Sequence, residues 1–180
     1  MQRLGLLILT LFFSLLAEPT AHAAGARANT SGGTGHRGFG AGIVLGEPTG
    51  FTVKYWLESR HAIDAAVAYS FGDYVLILAD YLFEFPHAFQ NRRESFLRQL
   101  APYVGIGAVV LIATTGASVN RRFFGTNTSH VGLGVRVPLG IEWMPSDPPL
   151  GVFLELAPGL GVAPQTFGFL EGGVGVRYYF

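Results

Sequence analysis

From His130 to Trp143 the chain alternates between two kinds of side chain without a break. Val131, Leu133, Val135, Val137, Leu139, Ile141 and Trp143 are all apolar, while His130, Gly132, Gly134, Arg136, Pro138, Gly140 and Glu142 mix glycine and proline with polar and charged groups. Successive side chains of an extended chain point to opposite faces, so a run of this length describes a strand whose two faces meet different media. The pattern recurs. Leu170, Gly172, Val174, Val176, Tyr178 and Phe180 oppose Glu171, Gly173, Gly175, Arg177 and Tyr179. Phe51, Val53, Tyr55 and Leu57 oppose Thr52, Lys54, Trp56 and Glu58, and Leu150, Val152, Leu154 and Leu156 oppose Gly151, Phe153, Glu155 and Ala157.

Turn signals separate the runs: Glu47-Pro48-Thr49-Gly50, Gly72-Asp73, and Met144 to Pro149. The spacing predicts about eight strands, over 38–47, 50–58, 61–71, 74–85, 99–112, 129–143, 150–160 and 167–180. Pro102, Pro138 and Pro158 fall inside these strands and each removes a ladder donor, so bulges or interruptions are expected there. Most of the strands are longer than the usual ~5–6 residues and match the ~9–11 residues of a tilted strand crossing a bilayer.

The interior of an eight-stranded barrel is only wide enough for side chains. A full set of Leu, Ile, Val, Tyr and Trp turned inward would overfill it, whereas the face carrying the glycines suits it. Composition points the same way. Only 13% of residues are charged, 25 of 180 are glycine and the formal net charge is zero, against about 25% charged and about 7% glycine in soluble domains. The fold expected is therefore all-β: a closed antiparallel up-and-down barrel of about eight transmembrane strands over 38–180, apolar outside and polar inside. Phe39, Tyr55, Phe83, Phe85, Trp143, Tyr178 and Phe180 lie near strand ends on one side, and Phe51, Tyr69, Phe71 and Phe167 near the other, as two interfacial girdles. The alternative is a secreted lipocalin-like binder with the apolar face turned in. The even charge balance excludes an electrostatic nucleic-acid binder, and the absence of cysteine excludes a disulfide scaffold.

Residues 1–23 read as an export signal: Arg3, an uncharged stretch from Leu4 to Ala17, and the small-x-small site Ala21-His22-Ala23. The apolar run is shorter than the ~20 residues of a spanning helix. Residues 24–37 read as a flexible lead-in rich in glycine and small polar side chains.

With its leader, its eight alternating strands and the ending Val176-Arg177-Tyr178-Tyr179-Phe180, the chain resembles small bacterial outer-membrane barrels of the OmpA and OmpX type. The terminal Phe180, with Tyr178 and Val176 before it at alternate positions, looks like the C-terminal assembly signal of that class. The resemblance implies an outer-membrane location, contact with outer-membrane lipid and lipopolysaccharide, and insertion by the barrel assembly machinery. It leaves the ligand unknown. Gly42 to Gly50, with Lys54-Tyr55-Trp56, is also similar to a small group of barrel proteins and brings no activity. One feature departs from the class. An even strand count puts the long 86–98 connection on the periplasmic side, where turns are normally short, and leaves 113–128 as the long external loop.

The inner face is expected to carry Lys54, Asp64, Asp80, Glu84, Arg136, Glu142, Glu155, Glu171 and Arg177. Unpaired charges are costly in a narrow lumen, so the three bases are expected to pair with carboxylates. The six carboxylates outnumber the bases, and the excess is expected to be solvated, protonated, or bonded to Tyr103, Tyr179 or Trp56. This reads as a polar plug, with a conducting lumen as the alternative. In the external loop, Arg121, Arg122, Phe123 and Phe124 are expected to meet lipid headgroups. Barrel enzymes that deacylate lipid A need a serine, a histidine base one residue away from it, and a carboxylate that orients the histidine. Here Ser129 and His130 are adjacent and face opposite sides, and Glu142 lies ~40 Å from His130 along the strand. No catalytic residue is therefore assigned. No histidine pair has metal-ligand spacing, and Gly38-Phe39-Gly40-Ala41-Gly42 lacks the strand and helix that would flank a dinucleotide loop, so neither metal nor cofactor is expected.

Overall fold

The computed structural model describes residues 38–70, 74–113 and 131–180. The leader, the lead-in, Phe71, Arg121, Arg122, Phe123, Phe124, Ser129 and His130 lie outside the described residues. The strands are β1 Phe39–Glu47, β2 Thr49–Glu58, β3 His61–Ser70, β4 Tyr74–Glu84, β5 Leu100–Ala113, β6 Val131–Arg136, β7 Leu139–Trp143, β8 Leu150–Ala163 and β9 Phe167–Tyr179. One helical turn, α1 Ser95–Arg98, sits between β4 and β5.

Every strand pairs antiparallel with its neighbours, and β1 closes the sheet on β9, with Ala41 opposite Tyr178 and Ile43 opposite Val176. β6 and β7 are two parts of one stave. Both pair with β5 on one side and with β8 on the other. The break falls at Pro138, which has no N–H to give. The ladder is bridged there by Gly105 N–H donating to the Pro138 carbonyl at 2.8 Å and Val137 N–H to the Pro158 carbonyl at 2.9 Å. Pro138 itself is buried, so the in-out alternation runs through the break. Pro102 and Pro158 lie within β5 and β8, opposite Ile141 and Leu170, and interrupt nothing. The ring therefore has eight staves and closes on itself, so the wall presents no open sheet edge.

Phe39 and Phe180 meet on one rim, the terminal rim, where Phe180 N–H donates to the Phe39 carbonyl at 2.8 Å. With eight staves, the 85–99 connection and α1 also fall on this rim. On the far rim a single residue, Pro48, joins β1 to β2. Gly46 takes φ +150° there, and a Cβ would come within 2.3 Å of the Gly172 carbonyl oxygen, so only glycine fits. Thr49 Oγ1 closes this turn, donating to the Gly46 carbonyl at 2.9 Å.

The facing of the strands is the main structural result. Phe51 is 74% exposed and Leu154 54%, and Val53, Tyr55, Ile63, Val67, Leu133, Val135, Val174 and Tyr178 face outward with them. Thr52, Lys54, Asp64, Asp80, Arg136, Glu142 and Arg177 face inward and are buried. A lipocalin-like binder requires the opposite arrangement. Glu58 leaves the pattern because the β2–β3 register shifts between Trp56 and Glu58, and it ends exposed at the rim.

Two elements differ from the sequence expectation. Phe167 shares its face with Glu171, four residues on, so it points inward over Gly161 rather than joining an outer girdle. Also, β4 is apolar on both faces, so Tyr74, Leu76 and Leu78 pack inside with Val109 and Leu111 of β5, and Phe169 packs against them. The interior is thus layered, with this apolar cluster in one layer and Trp56, Ala62, Leu82, Tyr103 and Tyr179 in another.

Candidate functional site in the barrel interior

One register line organises the charges. Lys54 lies opposite Asp64, Asp64 opposite Asp80, Asp80 opposite Gly107, and Gly107 opposite Arg136. Gly107 makes the closure between the last two possible. A Cβ there would stand 1.7 Å from Asp80 Oδ1, so the bare backbone is what lets the carboxylate lie across β5 and reach the guanidinium. The same device recurs with aromatic rings: Phe153 lies over Gly175, Tyr103 over Gly140 and Phe169 over Gly159. The glycines of the inner face are the spaces into which the neighbouring staves fold their large side chains.

Two charge clusters result. In the first, Arg136 donates from Nε and Nη2 to the two oxygens of Asp80, both at 2.9 Å. It also donates from Nη2 to Glu155 at 2.6 Å and from Nη1 to Glu171 at 2.5 Å. Tyr103 donates its hydroxyl to the other oxygen of Glu155 at 2.7 Å. The guanidinium thus spends its fork on three carboxylates from three other staves.

In the second cluster Lys54 pairs with Glu84 and, at 2.6 Å, with Glu142. Tyr179 donates to Glu142 at 2.5 Å. Arg177 pairs with Asp64 and donates from Nη2 to Thr52 Oγ1 at 2.9 Å, while Thr52 donates to Asp64 at 2.9 Å. The cations rest on rings as well: Lys54 Nζ lies 4.4 Å from the Trp56 ring centre, and the Arg177 guanidinium 3.9 Å from that of Phe153. Lys54 is 0% exposed and Arg177 1%. Glu84 is held by its ion pair with Lys54, and Arg177 Nη1 lies 3.8 Å from Glu142 Oε2.

Between the clusters lies a cavity of about 30 Å³, lined by Thr52, Asp64, Asp80, Arg136, Glu155, Glu171 and Arg177, and by Glu47 and Pro48 toward the far rim. That is room for one or two waters. All nine charged residues named for the lumen therefore face the interior, in two groups. Tyr103 and Tyr179 supply hydroxyl donors to Glu155 and Glu142. Thr52 and Phe153 join the second cluster beyond the expected charges, and both share the inner parity with Lys54 and Glu155. Glu142, the one carboxylate weighed for an enzyme, is engaged by Lys54 and Tyr179. Among the described residues no group of three or more His, Cys, Asp or Glu is arranged to hold a metal ion. Val176, Tyr178 and Phe180 face outward on the last stave, with the Phe180 ring 5.1 Å from Tyr178 and 6.1 Å from Phe39.

A closed ring of eight antiparallel staves, apolar outside and ion-paired within, is the architecture of the small outer-membrane β-barrels. The chain belongs to the family described as "Protein of unknown function (DUF3996)", which matches residues 30–173. Among solved structures it is similar to the N-terminal β-barrel domain of Pseudomonas aeruginosa OprF, with a TM-score of 0.56 and 14% identity over 79% of this chain and 96% of that one. It also matches Neisserial surface protein A (NspA), with a TM-score of 0.44 and 15% identity over 79% of this chain and 94% of that one. A search of curated proteins returns no match.

Proposed function

We propose that the protein is a non-enzymatic integral outer-membrane barrel with a structural or surface role, its lumen closed by paired charges. The observation that carries this reading is the separation of media by the wall. Leu, Val, Ile and aromatic side chains face out all round the ring, while Lys54, Arg136, Arg177 and their carboxylates are sealed inside. Hydrocarbon accepts the first set and excludes the second. An ion crossing the lumen would have to part Arg136 from three carboxylates and pass the apolar layer around Leu76, Leu78 and Leu111. The charges then serve to position the staves, each base joining strands distant in sequence, as Lys54 joins Glu142.

On this reading residues 1–23 direct export, and Val176, Tyr178 and Phe180 are the face offered to the barrel assembly machinery. Arg121, Arg122, Phe123 and Phe124 meet lipopolysaccharide or lipid headgroups outside. Purified protein should migrate differently on gels before and after heating, as closed barrels in detergent do. It should show no steady conductance in planar bilayers, and its expression should leave the mass of lipid A unchanged. A steady ohmic conductance would overturn the closed lumen, and a changed lipid A mass would overturn the non-enzymatic reading.

A further inference from the structure

The described basic side chains occupy two places only. Lys54, Arg136 and Arg177 are in the lumen, and Arg60, Arg92, Arg93 and Arg98 are exposed on the terminal rim. These four arginines fall on one arc of that rim, in the β2–β3 turn and in the β4–β5 connection. The β7–β8 connection on the same rim carries Asp147 and no base. On this arc the four arginines stand with two exposed acids, Glu58 and Glu94.

Aromatic rings accompany the bases. The Arg60 guanidinium lies 5.1 Å from the Phe83 ring centre and 6.0 Å from that of Phe85. Beside it His61 Nδ1 and the Tyr81 hydroxyl share a hydrogen bond of 2.7 Å. At the other end of the connection Phe96, 55% exposed, packs 5.8 Å from Trp143, whose indole N–H donates to Gln99 at 2.9 Å. A guanidinium seated on a ring keeps its planar edge free for phosphate while the ring stays in apolar surroundings. The rings continue the apolar belt of Ile63 and Tyr81, so the arc joins that belt to the bases at headgroup depth.

We propose that this arc docks the phosphate headgroups of anionic phospholipid in the leaflet that meets the terminal rim. The inference rests on the membrane reading above and adds the headgroup charge and the place of binding, which that reading leaves open. Charge complementarity favours an anionic headgroup over a zwitterionic one, and continuity with the belt favours a lipid over a soluble polyanion.

The test is electron spin resonance on the full chain reconstituted in phosphatidylcholine vesicles, with spin-labelled phosphatidylglycerol or phosphatidylcholine as the probe. The wild type should hold phosphatidylglycerol several-fold more strongly than phosphatidylcholine. Arg60→Gln should reduce that ratio, and the triple change Arg92→Gln, Arg93→Gln, Arg98→Gln should bring it near one, at up to roughly fivefold for each base lost from an anionic surface. Salt should weaken the preference. Heat-modifiable migration of each variant shows that it is folded. A wild type without preference, or folded variants that keep it in full, overturns the proposal. Wild-type binding of soluble polyphosphate with no lipid preference also overturns it. Absence of motionally restricted lipid with either probe would instead overturn the membrane reading itself.

Discussion

Replacing Arg136 with methionine keeps most of the side-chain volume and removes the charge on which the first cluster is built. Asp80 loses two hydrogen bonds of 2.9 Å and Glu171 one of 2.5 Å, whereas Glu155 keeps the Tyr103 hydroxyl. Asp80 is the costly group, because its side chain is 3% exposed and the neighbour opposite it on β3 is Asp64, another carboxylate. Removing one partner of a buried ion pair costs about 3–5 kcal/mol, mostly from the charge left behind. We expect a loss in that range at neutral pH, read from denaturant unfolding of the barrel in vesicles. Adding Asp80→Asn to Arg136→Met should recover part of it, since the amide no longer needs a counter-charge. A loss below about 1 kcal/mol, the value of an exposed pair, would show that water already screens the cluster and would refute the reasoning.

Three further outcomes follow from the same geometry. Gly107→Ala places a Cβ 1.7 Å from Asp80 Oδ1 and should cost about 1–3 kcal/mol, whereas Gly168→Ala, with nothing within 4 Å, should stay within about 0.5 kcal/mol in the same unfolding assay. The two tryptophans stand in different places, Trp56 inside and Trp143 at the terminal rim. Brominated lipid should therefore quench Trp56→Phe protein, which keeps Trp143, more strongly than Trp143→Phe protein, which keeps Trp56. Val135→Arg and Val174→Arg should each reduce stability in the bilayer by about 2–4 kcal/mol, measured by refolding yield and unfolding midpoint, because both side chains point away from the lumen.

Where the two faces of a strand differ in chemistry, the sequence was enough to orient it. β2, β6, β8 and most of β9 alternate strictly, and Lys54, Arg136, Glu155 and Arg177 lie where parity puts them. Where both faces are apolar, parity is silent. β4 reads Tyr-Val-Leu-Ile-Leu-Ala before Asp80, and nothing in that run separates Leu76 and Leu78, which face in, from Ile77, which faces out. The apolar interior layer therefore leaves no mark in the alternation. Phe167 is a different case: its place near a strand end suggests a girdle, but its parity with Glu171 turns it inward. The partner choices among charges were beyond sequence reasoning, because they depend on stagger between staves. The glycines carried a usable signal. Each inward glycine marks a space, and Gly107, Gly140 and Gly175 sit opposite residues that use it.

The most direct check is on which medium touches the outer face. Nitroxide labels placed one at a time at Val152, Leu154 and Leu156 of β8 report collisions with oxygen, which concentrates in hydrocarbon, and with a water-soluble nickel chelate. For the folded protein in vesicles, oxygen should dominate at all three positions, most strongly at the one deepest in the bilayer. Nickel collisions exceeding those with oxygen at these positions would mean that the Leu and Val face meets water, contradicting the account.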